Sequence, residues 1–204
     1  MIDIKQTTCL KIVKSLIEIP SQTIRDLSRA TKTAYYLIHK NVTQLHKSGM
    51  LQQEKAGNAL LCSLNHKAAL DYMLVAELRK KEEFFEQNRS IRIVLEELQE
   101  KSETPFFILL VFGSYAKGVP RKKSDVDLLI LVEDIEQTEQ FEALIHDVSR
   151  TTSLKLHPVI ADINSFEKML QKPKELNVAN ESLNQHILIN GVEQYWKLRI
   201  KNER

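Results

Sequence analysis

Two aspartates, Asp125 and Asp127, stand two positions apart where a strand-like run of residues 126–132 begins. If that run forms a β-strand, their side chains share one face and lie ~6.5–7 Å apart. Two carboxylates at that spacing repel each other unless a cation neutralises them. Mg²⁺ suits this role because it binds one or two carboxylates together with substrate phosphates. The pair therefore predicts a magnesium site in which both aspartates are metal ligands and candidate catalytic residues.

A glycine and a serine, Gly113 and Ser114, follow a second apolar run over residues 106–112. Gly113 has no Cβ, so its backbone can approach a ligand closely, and Ser114 adds a hydroxyl. A short helix is expected to follow and to point its free N–H groups outward, which favours phosphate. Lys117 follows three residues after Ser114, and a basic loop of Arg121, Lys122 and Lys123 comes after it. We therefore predict a phosphate-binding turn at Gly113, Ser114 and Lys117.

Ten residues separate Ser114 from Asp125. A Gly-Ser pair after one strand, followed at this spacing by Asp-x-Asp on the next, resembles the nucleotidyltransferase superfamily, both its DNA polymerase beta-like and its minimal members. The resemblance covers about residues 90–165. It implies that Gly113 and Ser114 hold the β- and γ-phosphates of a nucleoside triphosphate, with ATP as the expected nucleotide. It also implies that Asp125 and Asp127 hold Mg²⁺ while a nucleotidyl group passes to an acceptor and pyrophosphate leaves.

The sequence departs from the superfamily pattern at one position. Active members usually carry a third carboxylate on a later strand, but the corresponding run, residues 154–160, has His157 there. One interpretation of His157 is a base or a weak neighbour of Mg²⁺. Imidazole is a poorer ligand than carboxylate for Mg²⁺, so a histidine bonded to the backbone is the favoured interpretation. Asp162 is expected to lie beyond the end of that strand. The alternative to a magnesium site is that Asp125 and Asp127 only cap the exposed end of their strand.

The first third of the chain has a basic composition. Residues 1–66 contain nine Lys or Arg and four Asp or Glu, an excess of five positive charges, whereas the whole chain has a net charge of only +2. Helical patterns over residues 5–19, 23–30 and 31–47, the last with Thr31 as its N-cap, precede strand-like runs at 50–54 and 59–64 joined by a turn. This order resembles the winged helix-turn-helix regulators of archaea and bacteria and implies binding to double-stranded DNA.

The helix ending at Lys47 is the candidate recognition helix. Its inward stripe is expected to consist of Ala34, Ile38, Val42 and Leu45. Base contacts in the major groove come mainly from the N-terminal part of such a helix. We therefore assign Lys32, Thr33 and Tyr36 to groove contacts, and Lys40, Lys47 and Lys55 of the wing to phosphates. The alternative is a module that contacts only proteins.

Pattern changes along the chain predict an α+β protein in three parts. These are a winged helix-turn-helix domain over residues 1–66, a connecting helix over 67–89, and a nucleotidyltransferase-like domain with a mixed sheet over 90–204. Near the C-terminus, helices are predicted over residues 165–170 and 175–190, with Gly191 ending the second. Tyr195 and Trp196 are expected to pack back on the body of the domain.

Composition excludes several classes of protein. No apolar run approaches the ~18–20 residues that a membrane-spanning helix needs, and the first residues do not resemble a signal peptide. The two cysteines, Cys9 and Cys62, lack metal-ligand spacing and indicate the reducing cytoplasm. A homodimer is plausible because winged-helix proteins often bind two-fold sites.

Three functions fit these observations. The leading hypothesis is a Mg²⁺-dependent nucleotidyltransferase with a DNA-binding module and an unknown acceptor. The second is a DNA-binding transcriptional regulator whose transferase domain has lost catalysis and senses nucleotides; His157 favours it, whereas the Gly-Ser and Asp-x-Asp pairs favour the enzyme. The third is an antitoxin-like partner that neutralises a toxin.

Overall fold

A computed structural model of the chain describes residues 7–122, 124–172, 175 and 177–202. The chain forms two compact units, Met1–Arg79 and Lys80–Arg204. The boundary falls within one long helix, His66–Gln87, so the last part of that helix, residues 80–87, belongs to the second unit. Within the described ranges, no helix is long and apolar enough to cross a membrane.

The first unit contains three helices and a small sheet in the order expected for a winged helix-turn-helix. Its elements are α1 (Thr7–Glu18), β1 (Gln22–Thr23), α2 (Ile24–Ala30), α3 (Tyr35–Lys47), β2 (Leu51–Ala56), β3 (Ala59–Leu64) and the first part of α4 (His66–Gln87). The strands are antiparallel in the order β1-β3-β2. Helix α1 packs on α2, α3 and β3 and buries its apolar stripe there. The first helix was predicted from Lys5, and residues 5 and 6 lie outside the described ranges.

Side-chain hydrogen bonds define the junction between α1 and α2. Gln22 is buried, and its amide nitrogen donates to the backbone oxygens of Ser15 at 2.8 Å and Ile19 at 3.1 Å. The Ser15 oxygen also accepts the Ile19 N–H at 2.9 Å, so Gln22 adds a second hydrogen bond there and supplies a donor to the Ile19 oxygen just past the helix. Thr23 and Asp26 then form a capping box at the start of α2. The connection between α1 and α2 is therefore fixed by short-range polar contacts.

The start of α3 differs from the prediction. Thr31 is not the N-cap of α3 but the C-cap of α2, and its hydroxyl donates to the Leu27 oxygen at 2.6 Å. Lys32 then turns the chain at a φ of 49°, and α3 begins at Tyr35 with Ala34 as N-cap. The expected inward position of Ala34 was wrong, because Ala34 is exposed, whereas Ile38, Val42 and Leu45 are buried as predicted.

The wing is a hairpin with a tighter turn than the sequence suggested. Ala56 pairs with Ala59, which leaves only Gly57 and Asn58 in the turn. Lys55 was expected in the turn but lies in β2, opposite Leu60 of β3. A two-residue turn that begins with a glycine at positive φ matches the twist of the two strands.

The second unit is built on a four-stranded mixed sheet, which confirms the predicted α+β class. Its remaining elements are α5 (Arg89–Lys101), β4 (Phe107–Phe112), α6 (Gly113–Ala116), β5 (Val126–Val132), α7 (Glu136–Thr151), β6 (Leu156–Asp162), α8 (Ile163–Leu170), α9 (Val178–Asn184), β7 (Ile187–Asn190) and α10 (Val192–Asn202). The strand order is β6-β5-β4-β7. Strands β5 and β6 are parallel, and the other two pairs are antiparallel.

Helices cover both faces of this sheet. One face, with Leu109, Leu128 and Ile130 at its centre, packs on α5 and α7 and forms the main core. On the other face α8 contacts β5 and β6, and α10 contacts β4. Tyr195 and Trp196 of α10 are fully buried, as the sequence predicted. Strands covered on both sides are apolar almost throughout, which explains the continuous hydrophobic runs of β4 and β5.

The C-terminal prediction was partly wrong. The helix predicted over residues 175–190 ends at Asn184, and residues 187–190 instead form β7 on the edge of β4; residue 176 lies outside the described ranges. Three consecutive buried residues, 187–189, fit a strand covered on both faces, which periodicity cannot separate from a helix. Gly191 follows this strand rather than a helix, and a Cβ there would lie 2.7 Å from the backbone oxygen of Phe107.

Asp162 also lies elsewhere than predicted. It is the last residue of β6, not a residue beyond the strand, and it caps α8. Its carboxylate accepts hydrogen bonds from the hydroxyl and, at 3.0 Å, the backbone N–H of Ser165. These hydrogen bonds to Ser165 lower the pKa of the Asp162 carboxyl below its ordinary value. The Asp162 carboxylate therefore serves as the N-cap of α8.

Asp162→Ala is expected to reduce the free energy of unfolding by about 1 kcal/mol, the usual contribution of an N-cap. Asp162→Asn retains a capping oxygen and should cost less. Because the folded-state pKa is lowered, the charged cap contributes fully above the unfolded-state pKa, and that contribution is lost as pH falls through the lowered folded value. Urea denaturation at neutral and acidic pH measures both effects; equal stability of wild type and Asp162→Ala at neutral pH would contradict this role.

Candidate functional site

Asp127 lies at the centre of the candidate site. It is the second residue of β5, and its neighbours across the sheet are Phe112 of β4 and His157 of β6. Alternation along β5 puts Asp127 on the face opposite the main core. Because β4 ends at Phe112, the turn that begins at Gly113 lies directly beside Asp127.

The backbone of Gly113 lies so close to the Asp127 carboxylate that no residue with a Cβ would fit at position 113. Gly113 has a φ of 68°, and a Cβ built on it would overlap Oδ2 of Asp127 and lie 2.9 Å from its Cγ. Two separate reasons therefore require glycine, namely the left-handed backbone and the neighbouring carboxylate. The Asp127 side chain is 26% exposed, so it remains accessible from solvent.

The predicted phosphate-binding turn is one turn of helix. Helix α6 spans four residues, and Ser114 is half-buried in it. The first N–H groups of a helix have no partner within the helix. Lys117 is the C-cap of α6 and extends its ammonium to 3.7 Å from Oε1 of Glu181 in α9. The sequence offered no signal for Glu181, because the contact joins residues far apart in the chain.

The second predicted metal ligand, Asp125, lies just outside the sheet. It is exposed and immediately precedes β5, whose first residue, Val126, donates its N–H to the Lys155 oxygen at 2.8 Å. In the loop before it, the Arg121 N–H donates to the Ser124 hydroxyl at 2.8 Å. The predicted basic loop includes Lys123, which lies outside the described residues.

His157 occupies the position next to Asp127 at which the superfamily pattern predicts an acid. Nδ1 of His157 lies 3.0 Å from Oδ1 of Asp127, and the histidine side chain is 67% exposed. The favoured interpretation of His157 as a histidine bonded to the backbone was therefore wrong, because its partner is the Asp127 carboxylate. The two oxygens of Asp127 thus have different neighbours, the imidazole on one side and the Gly113 turn on the other.

No third carboxylate joins the site in the part of the chain that the structure describes. In the same residues, no group of three His, Cys, Asp or Glu side chains could hold a metal ion. Asp162 pairs with Val132, five residues further along the parallel strands than the pair of Asp127 and His157. A metal at this site would therefore need ligands from a substrate in addition to the aspartates.

Two cavities in the second unit lie away from the candidate site. One of about 250 Å³ is lined by residues of 101–104 and of α7, including Glu103 and Gln140. The other, of about 410 Å³, lies between the end of α4 and α5 and is lined by Phe85, Arg89 and Arg92. Neither cavity is lined by Gly113, Asp125 or Asp127. The candidate site is therefore identified by the chemistry of these residues and not by a cavity.

The residues predicted to contact DNA lie on the surface of the first unit. Tyr36, Lys40 and Lys47 are exposed on α3, and Lys55 is exposed on the wing. Lys32 and Thr33 lie in the turn between α2 and α3 rather than in α3, and the Thr33 hydroxyl donates to the Thr31 oxygen at 3.0 Å. Sequence reasoning did not single out Tyr35 and Leu37, which are also exposed, because it began the helix four residues too early.

Comparison with known proteins finds one family model that matches within the second unit. Residues 91–183 match the family model of the nucleotidyltransferase domain. The matched range contains the Gly113 turn, both aspartates and His157. No curated protein matches the chain. The match supports the resemblance of this part of the chain to the nucleotidyltransferase superfamily.

Two solved structures show weak overall similarity. A crystal structure of NadR in complex with 4-hydroxyphenylacetate is 17% identical, with 47% of this chain and 72% of that chain covered at a TM-score of 0.36. A structure of TrmBL2, an archaeal chromatin protein with a novel mode of DNA binding, is 10% identical, with 96% of this chain and 90% of that chain covered at a TM-score of 0.28. TM-scores this low do not establish a shared fold.

Gly113→Ala is expected to destabilise the protein more than Gly118→Ala. Both glycines have a φ near 69°, but a Cβ at Gly118 meets no atom within 4 Å. Gly118→Ala therefore measures the backbone strain alone, ~1–2 kcal/mol. Gly113→Ala adds the displacement of the Asp127 carboxylate. Urea denaturation of the two variants gives the difference in the free energy of unfolding.

A double-mutant cycle isolates the contact. In an Asp127→Ala background, Gly113→Ala should cost nearly as little as Gly118→Ala, because the overlapping carboxylate is gone and only the Cβ of residue 127 remains, 3.3 Å away. If Gly113→Ala and Gly118→Ala are equally destabilising with Asp127 present, Asp127 does not lie against the glycine turn as described.

Proposed function

We propose that the chain transfers a nucleotidyl group from a Mg²⁺-bound nucleoside triphosphate to an acceptor, at the site of Gly113, Ser114, Asp125 and Asp127. The observation that carries this proposal is the close approach of the Asp127 carboxylate to the Gly113 turn. It puts the hydroxyl and N–H donors that a phosphate needs beside an oxygen ligand that a hard cation needs. A triphosphate carrying Mg²⁺ requires both at once.

The donor set fits Mg²⁺ rather than a softer metal. Asp125 and Asp127 supply carboxylate oxygens, which suit Mg²⁺, and they are the residues that would hold it. Bound there, Mg²⁺ would neutralise phosphate charge and polarise the phosphoryl group under attack. Gly113 and Ser114 would bind the β- and γ-phosphates. Lys117 would add a positive charge near them, because its contact with Glu181 is an exposed ion pair of little strength.

The first unit is proposed to bind double-stranded DNA. Its element order, its exposed lysines on α3 and the wing, and the excess of five positive charges over residues 1–66 support this role. Lys32, Thr33 and Tyr36 would contact the groove, and Lys40, Lys47 and Lys55 would contact phosphates. A homodimer and a cytoplasmic location stay predictions from the sequence.

His157 favours a second candidate function, a nucleotide-sensing transcriptional regulator that binds the triphosphate without transferring it. The histidine takes the place of the third carboxylate and contacts Asp127 itself. Loss of a carboxylate that stabilises the transition state would remove several kcal/mol, more than about a thousandfold in rate. Binding through Gly113 and Ser114 depends less on that carboxylate, so affinity would survive better than turnover.

ATP is expected to bind the full chain in the presence of Mg²⁺, and Asp127→Asn is expected to weaken that binding about tenfold or more, ~1.4 kcal/mol. The reason is that the substitution removes the charge that would hold the cation beside the phosphates. Isothermal titration calorimetry with and without Mg²⁺ measures the change. Asp147→Asn, an exposed aspartate on α7, is the matched control and should bind as the wild type does. Equal affinities of wild type and Asp127→Asn would contradict the site.

A transfer assay distinguishes the two candidate functions. Wild type, Asp127→Asn and His157→Asp are each incubated with labelled nucleoside triphosphates and with nucleic-acid or protein acceptors. Labelling by wild type and not by Asp127→Asn supports the transferase. Binding without labelling, together with labelling by His157→Asp, supports the regulator.

Binding of the full chain to duplex DNA is expected to weaken steeply as salt rises. Lys40→Ala and Lys47→Ala should each reduce the affinity for duplex DNA. Each should also reduce the magnitude of the slope of log affinity against log salt by ~0.9, the value for one phosphate contact. Fluorescence anisotropy at several salt concentrations measures the slope. Lys11→Ala, an exposed lysine on α1, is the control and should leave the slope unchanged. An unchanged slope in both α3 variants would contradict the assignment.

A further inference from the structure

An apolar surface covers the first turn of α3. We call it the apolar tip; it consists of Ala34, Tyr35, Tyr36 and Leu37, all exposed. Tyr36 is 73% exposed, although α3 buries its other large apolar residues, such as Ile38 and Val42, completely. Large side chains left in solvent at the start of a helix do not contribute to the core. They indicate a surface that contacts a partner.

The polar residues nearest the apolar tip do not provide the usual means of reading adenine by hydrogen bonds. Residues 32–40 contain no asparagine or glutamine, the side chains that form paired hydrogen bonds with adenine, and no arginine; Lys32 and Lys40 could pair only with guanine. Asn41 follows, but its amide donates to the Leu37 oxygen at 2.7 Å and its carbonyl accepts from Cys9 Sγ at 3.1 Å. The Thr43 hydroxyl donates to the His39 oxygen at 2.8 Å. These groups are used within the first unit.

The charge around the apolar tip matches duplex DNA. Lys32 precedes the tip in the turn, Lys40 follows it one helical turn later, and Lys47 and Lys55 lie further along α3 and on the wing; all four are exposed. Positive charge on both sides of an apolar strip fits a groove with a row of phosphates on each wall. The N-terminal part of a recognition helix is also the part that reaches the base edges.

We propose that the apolar tip reads the 5-methyl groups of thymine in the major groove, so that the chain prefers A·T-rich duplexes. The inference rests on the proposed DNA-binding role of the first unit. The methyl group is the one apolar feature of the major-groove edge, and apolar side chains are its natural contacts. Tyr36 and Leu37 offer the largest exposed area for it.

Deoxyuridine tests this contact directly, because it differs from thymidine only by that methyl group. Two duplexes of the same A·T-rich sequence, one with thymidine and one with deoxyuridine, have equal charge and equal base pairing. The full chain should bind the deoxyuridine duplex about fourfold more weakly for each methyl group contacted, the equivalent of ~0.8 kcal/mol. Fluorescence anisotropy at one fixed salt concentration measures both affinities.

Tyr36→Ala should weaken binding to the thymidine duplex and reduce the difference between the two duplexes. Ile93→Ala removes an exposed apolar side chain from α5 in the second unit and should leave that difference unchanged. Circular dichroism and thermal melting establish that both variants are folded, which is expected because both side chains are exposed.

The outcomes separate this inference from the role on which it rests. Salt-dependent binding with equal affinity for thymidine and deoxyuridine duplexes overturns the reading of methyl groups and leaves DNA binding intact. A difference between the duplexes that persists unchanged in Tyr36→Ala also overturns it. Absence of binding to any duplex at low salt overturns both, and the apolar tip would then be a surface for a protein partner.

Discussion

The contact between the Asp127 carboxylate and the backbone at Gly113 is the constraint on which the candidate site depends. Asp127 is placed by its register in the sheet, between Phe112 and His157, and Gly113 is placed by the end of β4. No side chain fits between them, because even a Cβ at Gly113 would overlap the carboxylate. Packing alone does not require a carboxylate here, since Asp127 is only partly buried. The turn at Gly113 and the Asp127 carboxylate are therefore held together by the sheet itself.

His157 changes what this arrangement can do. The parallel pairing of β5 and β6 brings the imidazole to the oxygen of Asp127 that faces away from Gly113, at 3.0 Å. A superfamily acid at that position would repel Asp127 until a cation arrived, whereas a histidine donates a hydrogen bond to it without one. The site therefore keeps the Gly113 turn beside Asp127, while a histidine stands where the superfamily pattern predicts an acid. That combination is the physical basis for considering both a transferase and a nucleotide-binding regulator.

Much of this could be predicted from the sequence, because it depends on local patterns. The two apolar runs identified β4 and β5. The short interval between Ser114 and Asp125 indicated that the end of β4 lies near the start of β5. The missed features depend on contacts distant in sequence. Residues 187–190 form a strand because they hydrogen-bond to β4, which lies far away in the sequence. Lys117 contacts Glu181 only because α9 packs near α6 in the folded chain. The start of α3 was missed for a local reason, since the Thr31 hydroxyl bonds back to α2.

The most direct test of the account is to observe the backbone of the glycine turn while nucleotide binds. In two-dimensional ¹H–¹⁵N NMR of the full chain, addition of ATP with Mg²⁺ should shift the amide signals of Gly113 and Ser114, and the same addition to Asp127→Asn should shift them far less. Unmoved signals at Gly113 and Ser114, with changes confined to the cavity around Glu103 and Gln140, would contradict the account.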